Sequence, residues 1–154
     1  MMLVVQFTHF LGMSLWIGGA LVAIMLAIKA EGESVEVKAS VARMLAQVHT
    51  LVIAAGALLT VATGVVWIMM LVQGGQSEAS ATPGVWIMEA AGLVAGVLVL
   101  LVAVPAAVKL GGLAVPMDDG KMLPAFDYYH KRLVRVSSVA LALAVLSLFT
   151  GVVL

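Results

Sequence analysis

His9 lies inside an apolar stretch, Met1–Ile28, that is long enough to cross a bilayer. An ionisable ring in hydrocarbon is costly, and it is usually there to bind something or to move a proton. A neutral imidazole is also the commonest protein ligand for metals and an axial ligand of haem iron. Positions 9, 12, 16 and 19 read His, Gly, Trp, Gly and fall on one stripe at helical spacing. His9, Gly12, Trp16 and Gly19 are therefore the first candidates for a cofactor-binding face, with His9 as the metal ligand. Two more polar groups interrupt apolar segments. His49 follows Arg43 by six residues, and Glu89 is the one acid within any apolar core. Both join the candidate cofactor-binding set, because an intramembrane ionisable group is a functional candidate by default. Met69, Met70 and Met88 stand at the level of Glu89; their spacing fits packing as well as ligation.

Depth sorts these residues. Twenty residues separate His9 from Lys29, about 30 Å of helix, which puts His9 in the half away from the basic residues. His49 stands about 9 Å from the basic surface by the same rise. The two rings are then about 20 Å apart along the membrane normal and do not share one iron atom. His130 adjoins Lys131 and Arg132 and follows Tyr128 and Tyr129, so it reads as an interfacial residue. It meets His49 only if its helix starts deeper than its charges suggest. Structural roles compete with the functional ones. For His9 the alternative is an interhelical hydrogen bond to a hydroxyl such as Ser14 or Thr150. For Glu89 it is a protonated carboxyl reaching the interface beside Trp86.

The elements that position these groups are four apolar segments, Met1–Ile28, Met44–Val72, Val85–Val108 and Val136–Leu154, each about the ~20 residues needed to span a ~30 Å core. The last is short, and an amphipathic turn near Leu123–Tyr129 is expected to begin it. The prediction is an all-α polytopic membrane protein: one domain, 1–154, with helices at about 1–28, 44–72, 85–108 and 126–154. Composition agrees. Of 154 residues, 64% are hydrophobic and 10% charged, against about 45–50% and about 25% for a soluble domain. The first segment has no basic start and is too long for a cleavable signal. There is no cysteine, which excludes disulfides, thiolate metal sites, c-type haem attachment and iron–sulfur clusters. Thr82-Pro83 reads as an N-cap with proline at the first helical position. Pro105 should kink or end the third helix. Lys29–Arg43, Gln73–Gly84 and Lys109–Arg135 read as short polar linkers, the last with turn signals at Pro116, Asp118-Asp119-Gly120 and Pro124.

All eight basic residues fall on one side of this plan, and the other side carries only Glu78 and Glu89. The positive-inside rule makes the basic side cytoplasmic and both termini external, in an antiparallel up-down bundle. Trp67 and Trp86 then sit near the outer ends of their helices, as an aromatic belt would, whereas Trp16 is too deep for that. Gly92 and Gly96, with Gly12, Gly19, Gly56 and Gly64, mark smooth faces for close helix packing, which also suit a flat ring. Thr63-Gly64-Val65-Val66 is echoed by Thr150-Gly151-Val152-Val153, which chance explains as well as duplication does.

The pattern His9-x2-Gly12-x3-Trp16-x-Gly18-Gly19 resembles a superfamily of small four-helix bacterial membrane proteins. That superfamily includes an uncharacterised family of predicted integral membrane proteins, the copper resistance D proteins and the short membrane protoporphyrinogen oxidase. Length, four-helix layout and the Thr82-Pro83-x-x-Trp86 start of the third helix look most like the uncharacterised family. The resemblance implies a bacterial inner-membrane location. The oxidase's proposed haem b ligand corresponds to His9.

Three functions follow as expectations. One is a haem b membrane protein with a redox or electron-transfer role, His9 being the axial ligand and a quinone or another membrane redox protein the partner. Another is a non-catalytic accessory or assembly subunit, a homo- or hetero-oligomer in which His9 makes an interhelical hydrogen bond. The last is a metal-ion transport or resistance protein, copper being the ion, that uses His9, Glu89 and Met69 or Met70. The lipid bilayer is a partner in all three, nucleic acid in none, and whether the chain is an enzyme stays open. No Ser/His/Asp set, P-loop or nucleotide fingerprint is present.

Overall fold

The computed structural model describes residues 2–75, 82–117 and 120–153. Glu78 and the Asp118-Asp119 pair of the expected turn lie outside the described residues. The described chain is almost wholly helical, and four of its helices are long and apolar enough to cross a membrane. We number them α1 (Met2–Lys29), α2 (Val35–Gln73), α3 (Pro83–Gly112) and α4 (Pro124–Val153).

The second helix starts nine residues before the expected Met44. Ser34 caps it, its hydroxyl accepting from the Val37 N–H at 3.5 Å, as an N-cap serine does. Most of the polar stretch read as a linker is thus the amphipathic first part of α2. Ala39 and Ala42 are buried on its inner face, and Ala46 packs against Gly111 near the end of α3. Arg43 ties this contact down with a 2.8 Å hydrogen bond to the Ala114 carbonyl. Hydropathy alone misses such a start, because the charges sit on the outer face while alanines do the packing. The other end of α2 closes at Gly75, whose φ of +78° suits glycine and few other residues.

Both middle helices contain a wider turn. Backbone N–H groups bond five residues back, Ala54 to His49 and Val104 to Val99, within π-helical stretches Val48–Ile53 and Val99–Ala103. The second stretch explains why Pro105 does not end α3. A proline in a helix clashes with the carbonyl four residues earlier and offers it no N–H. The wider turn just before Pro105 accommodates the ring, and α3 continues to Gly112. Thr82 caps α3 with Pro83 at its first position, as expected. The fourth helix begins at Pro124, close to the expected amphipathic turn.

Pairing follows the chain. The main partners are α1 with α2 and α3 with α4, and α2–α3 and α1–α4 contacts close the ring. Its interior is built from small side chains, Ala20, Ala23, Ala57, Ala95, Ala103, Ala107 and Ala140 among them, with Trp16 as the largest buried group. Large apolar residues such as Leu3, Phe7, Met25, Leu51, Leu101 and Phe149 point outward. This is the reverse of a soluble core and matches helices that associate by close packing where lipid replaces water. The basic residues cluster where α1 and α3 end and α2 and α4 begin.

Candidate functional site around His9

His9 projects from α1 onto α2. Its Nδ1 lies 3.1 Å from the Thr63 hydroxyl. That hydroxyl donates its one proton back along α2 to the Leu59 carbonyl. It can then only accept from the imidazole, so the ring proton resides on Nδ1. The Thr60 carbonyl, 3.3 Å from the same hydroxyl, is a further acceptor for the ring N–H. The lone pair is left on Nε2, which makes no hydrogen bond among the described residues. This is how ligating histidines are usually prepared: one nitrogen donates to a neighbour, which fixes tautomer and orientation, and the other is free to bind.

The ring is walled by three groups. Trp67 meets it edge-on with centroids 5.9 Å apart, and Phe10 does the same at 6.1 Å. On the α2 side it lies flat enough that a Cβ on Gly64 would be 3.3 Å from Cε1. Gly64 is therefore part of the seat. The Trp67 indole N–H is buried and has no acceptor among the described residues, and the Trp16 N–H shares that condition. A buried donor left unpaired costs about 1–3 kcal/mol. Trp67 stands beside His9, whereas Trp16 lies near the middle of α1.

The other members of the sequence stripe pack the helices together. A Cβ on Gly12 would meet Thr60 Oγ1 at 2.7 Å and the Thr60 backbone nitrogen at 2.9 Å, and Gly19 lies against Ile53 and Val52. Trp16 reaches across the bundle to Gly96 of α3, its ring 4.0 Å from where a Cβ would stand. Glu89 lies seven residues before Gly96, on nearly the same face of α3 and about 10 Å toward the other end. That face is the one Gly96 turns to Val61 and Trp16. Glu89 is half-buried and has no hydrogen-bond or ion-pair partner among the described residues. Met69 is exposed.

His49 contrasts with His9. It is buried, and both nitrogens are committed: Nδ1 lies 2.8 Å from the Leu45 carbonyl and Nε2 3.1 Å from Ser137 Oγ on α4. The carbonyl fixes the proton on Nδ1, so Nε2 accepts from the serine. The pair locks α2 to α4. His49→Ala should lower stability by about 1–3 kcal/mol, because it strands a buried hydroxyl and opens a void. Ser137→Ala should cost less, about 0.6 kcal/mol, the average for a hydrogen bond between membrane helices. Unfolding of both variants in detergent micelles, followed by circular dichroism, checks the order. His9 packs beside Thr63 and Gly64, fourteen and fifteen residues along α2 from His49, so about 20 Å separates the two rings. His130 stacks on Phe126, two turns before the serine that His49 binds.

Sequence reasoning did not find Thr63, Trp67 or Ser137. The hydroxyls it offered to His9 bond elsewhere, Ser14 to the Phe10 carbonyl and Thr150 to the Leu146 carbonyl. A signal for Thr63 existed: it lies twenty residues past Arg43, as His9 lies twenty before Lys29. Equal distances from the basic ends of two antiparallel helices put the two side chains at one depth.

No three His, Asp or Glu side chains come together to hold a metal ion among the described residues. No protein-family model, curated protein or solved structure matches this chain.

Proposed function

We propose that this chain is a haem b-binding membrane protein with a redox role, His9 being the axial ligand through Nε2. The observation that carries the reading is the His9–Thr63 hydrogen bond, which holds the ring proton on Nδ1 and leaves a fixed lone pair on the other nitrogen. His9 Nε2 is the one donor that would hold the group. Trp67 adds a buried N–H without an acceptor beside the ring, which suits a propionate carboxylate. The haem would supply one-electron chemistry, and the chain would supply ligand, orientation and dry surroundings. The first-helix motif resembles that of an oxidase whose proposed haem b ligand corresponds to His9, which favours the same residue.

The reading places the protein in a bacterial inner membrane, basic end to the cytoplasm and both termini outside. A quinone or another membrane redox protein would exchange electrons with it. The accessory-subunit reading has one observation in its favour: His9–Thr63 and His49–Ser137 both join two helices, and a helix lock is a sufficient role for either. Nothing in the arrangement favours copper transport over these.

Purification from a haem-replete host distinguishes them. Wild-type protein should carry one haem per chain with a b-type reduced-minus-oxidised spectrum, whereas a colourless preparation leaves the accessory role. Orientation has its own check. A cysteine at Glu33→Cys should be labelled by a membrane-impermeant thiol reagent only after the membrane is opened. Labelling in intact spheroplasts would reverse the topology.

A further inference from the structure

The basic end of the bundle holds a cavity of about 220 Å³ between the end of α1, the start of α2 and the first turns of α4. Its floor is apolar, with Leu45 and Phe126 buried beneath it. Its rim carries two carboxylates and two amines, Glu31, Asp127, Lys38 and Lys131. No side chain of these four makes an ion pair or hydrogen bond with another described residue. Their neighbours do find partners. Arg43 holds the Ala114 carbonyl, Lys109 reaches the Tyr129 hydroxyl, and Arg132 the Tyr128 hydroxyl. His130 completes the rim, its ring parallel to that of Phe126 at 6.2 Å.

Four unpaired charges of both signs around one apolar-floored opening select for a ligand that carries both signs. A purely anionic group would face Glu31 and Asp127, and a purely cationic one Lys38 and Lys131. Like charges so placed repel. The cavity is smaller than the roughly 300 Å³ at which drug-sized sites begin, so the ligand's polar part is compact. An ammonium with its N–H groups intact can hydrogen-bond the carboxylates, and a trimethylated one cannot. We propose that this cavity binds a phosphoethanolamine group, its phosphate on Lys38 and Lys131 and its primary ammonium on Glu31 and Asp127. The apolar floor at the end of membrane-length helices points to the head of a phospholipid. Free phosphoethanolamine carries the same chemistry. The inference does not rest on the haem reading.

Native mass spectrometry of the purified full-length chain tests it, after exchange into micelles with equal amounts of phosphatidylethanolamine, phosphatidylcholine and phosphatidylglycerol. Wild type should retain phosphatidylethanolamine over each of the others by at least about tenfold, which one charge-assisted hydrogen bond suffices to give. The double variant Lys38→Ala/Lys131→Ala should lose the retention. The isosteric variant Glu31→Gln/Asp127→Asn should keep its circular dichroism spectrum and lower the preference over phosphatidylglycerol about tenfold. Displacement of the lipid by free phosphoethanolamine supports the site and assigns the soluble compound as its ligand. Failure to displace supports the site and assigns the lipid. Equal retention of the three lipids by wild type, or a preference that survives both double variants, overturns the proposal.

Discussion

Gly56→Ala should destabilise the bundle by about 3 kcal/mol, at the upper end of overpacking effects. A Cβ at Gly56 would stand 2.7 Å from the Gly12 carbonyl oxygen and 2.7 Å from the Trp16 backbone nitrogen. Both are backbone atoms of α1, so neither can rotate away. The helices must separate, and in lipid their close contact is what holds them. Separation also withdraws Thr63 from His9. Gly18 supplies the control, since a Cβ there meets nothing within 4 Å. Gly18→Ala should be neutral or stabilising by up to about 1 kcal/mol, because alanine is the better helix former. Denaturation by sodium dodecyl sulfate from mild micelles, followed by circular dichroism, reads both. Equal effects of the two substitutions would contradict the described α1–α2 packing.

On the haem reading proposed above, His9→Ala should remove the haem signal from membranes that express the protein, while leaving the helical spectrum of the purified chain intact. The ring is half-buried and gives α2 a single side-chain hydrogen bond, so its loss costs the fold about 0.6 kcal/mol plus the packing of one ring. To a bound haem it would be the loss of the ligand itself. Thr63→Val separates ligation from folding further. Valine keeps the shape and removes the hydroxyl acceptor of the Nδ1 proton, leaving only the Thr60 carbonyl, so the weakening of metal binding should be about 10-fold, the low end of what loss of such a partner brings. Ser137→Ala removes the donor to Nε2 of His49, far from His9, and should leave the signal unchanged.

The four helices were legible because length, apolarity and the eight-to-none division of basic charge all follow from sequence position alone. The early start of α2 was not, because Ala39 and Ala42 pack without raising hydropathy. Nor was the continuation of α3 through Pro105, which depends on a wider turn that no residue type announces. His9 stood out at once as a cost in hydrocarbon. What the sequence left open was the state of its nitrogens. Gly12 and Gly19 share its stripe, yet their space is taken by Thr60 and by Ile53. His49 looked equivalent from sequence, and only Ser137, eighty-eight residues away, shows that both its nitrogens are occupied.

The measurement that tests the central claim most directly is a titration of purified haem-free protein with haemin, wild type beside His9→Ala. The wild type should take up one equivalent, with a Soret shift that marks histidine ligation, and His9→Ala should show none. Equal uptake and equal spectra in the two proteins, or no uptake by wild type, would contradict the assignment of His9 Nε2 as the ligand.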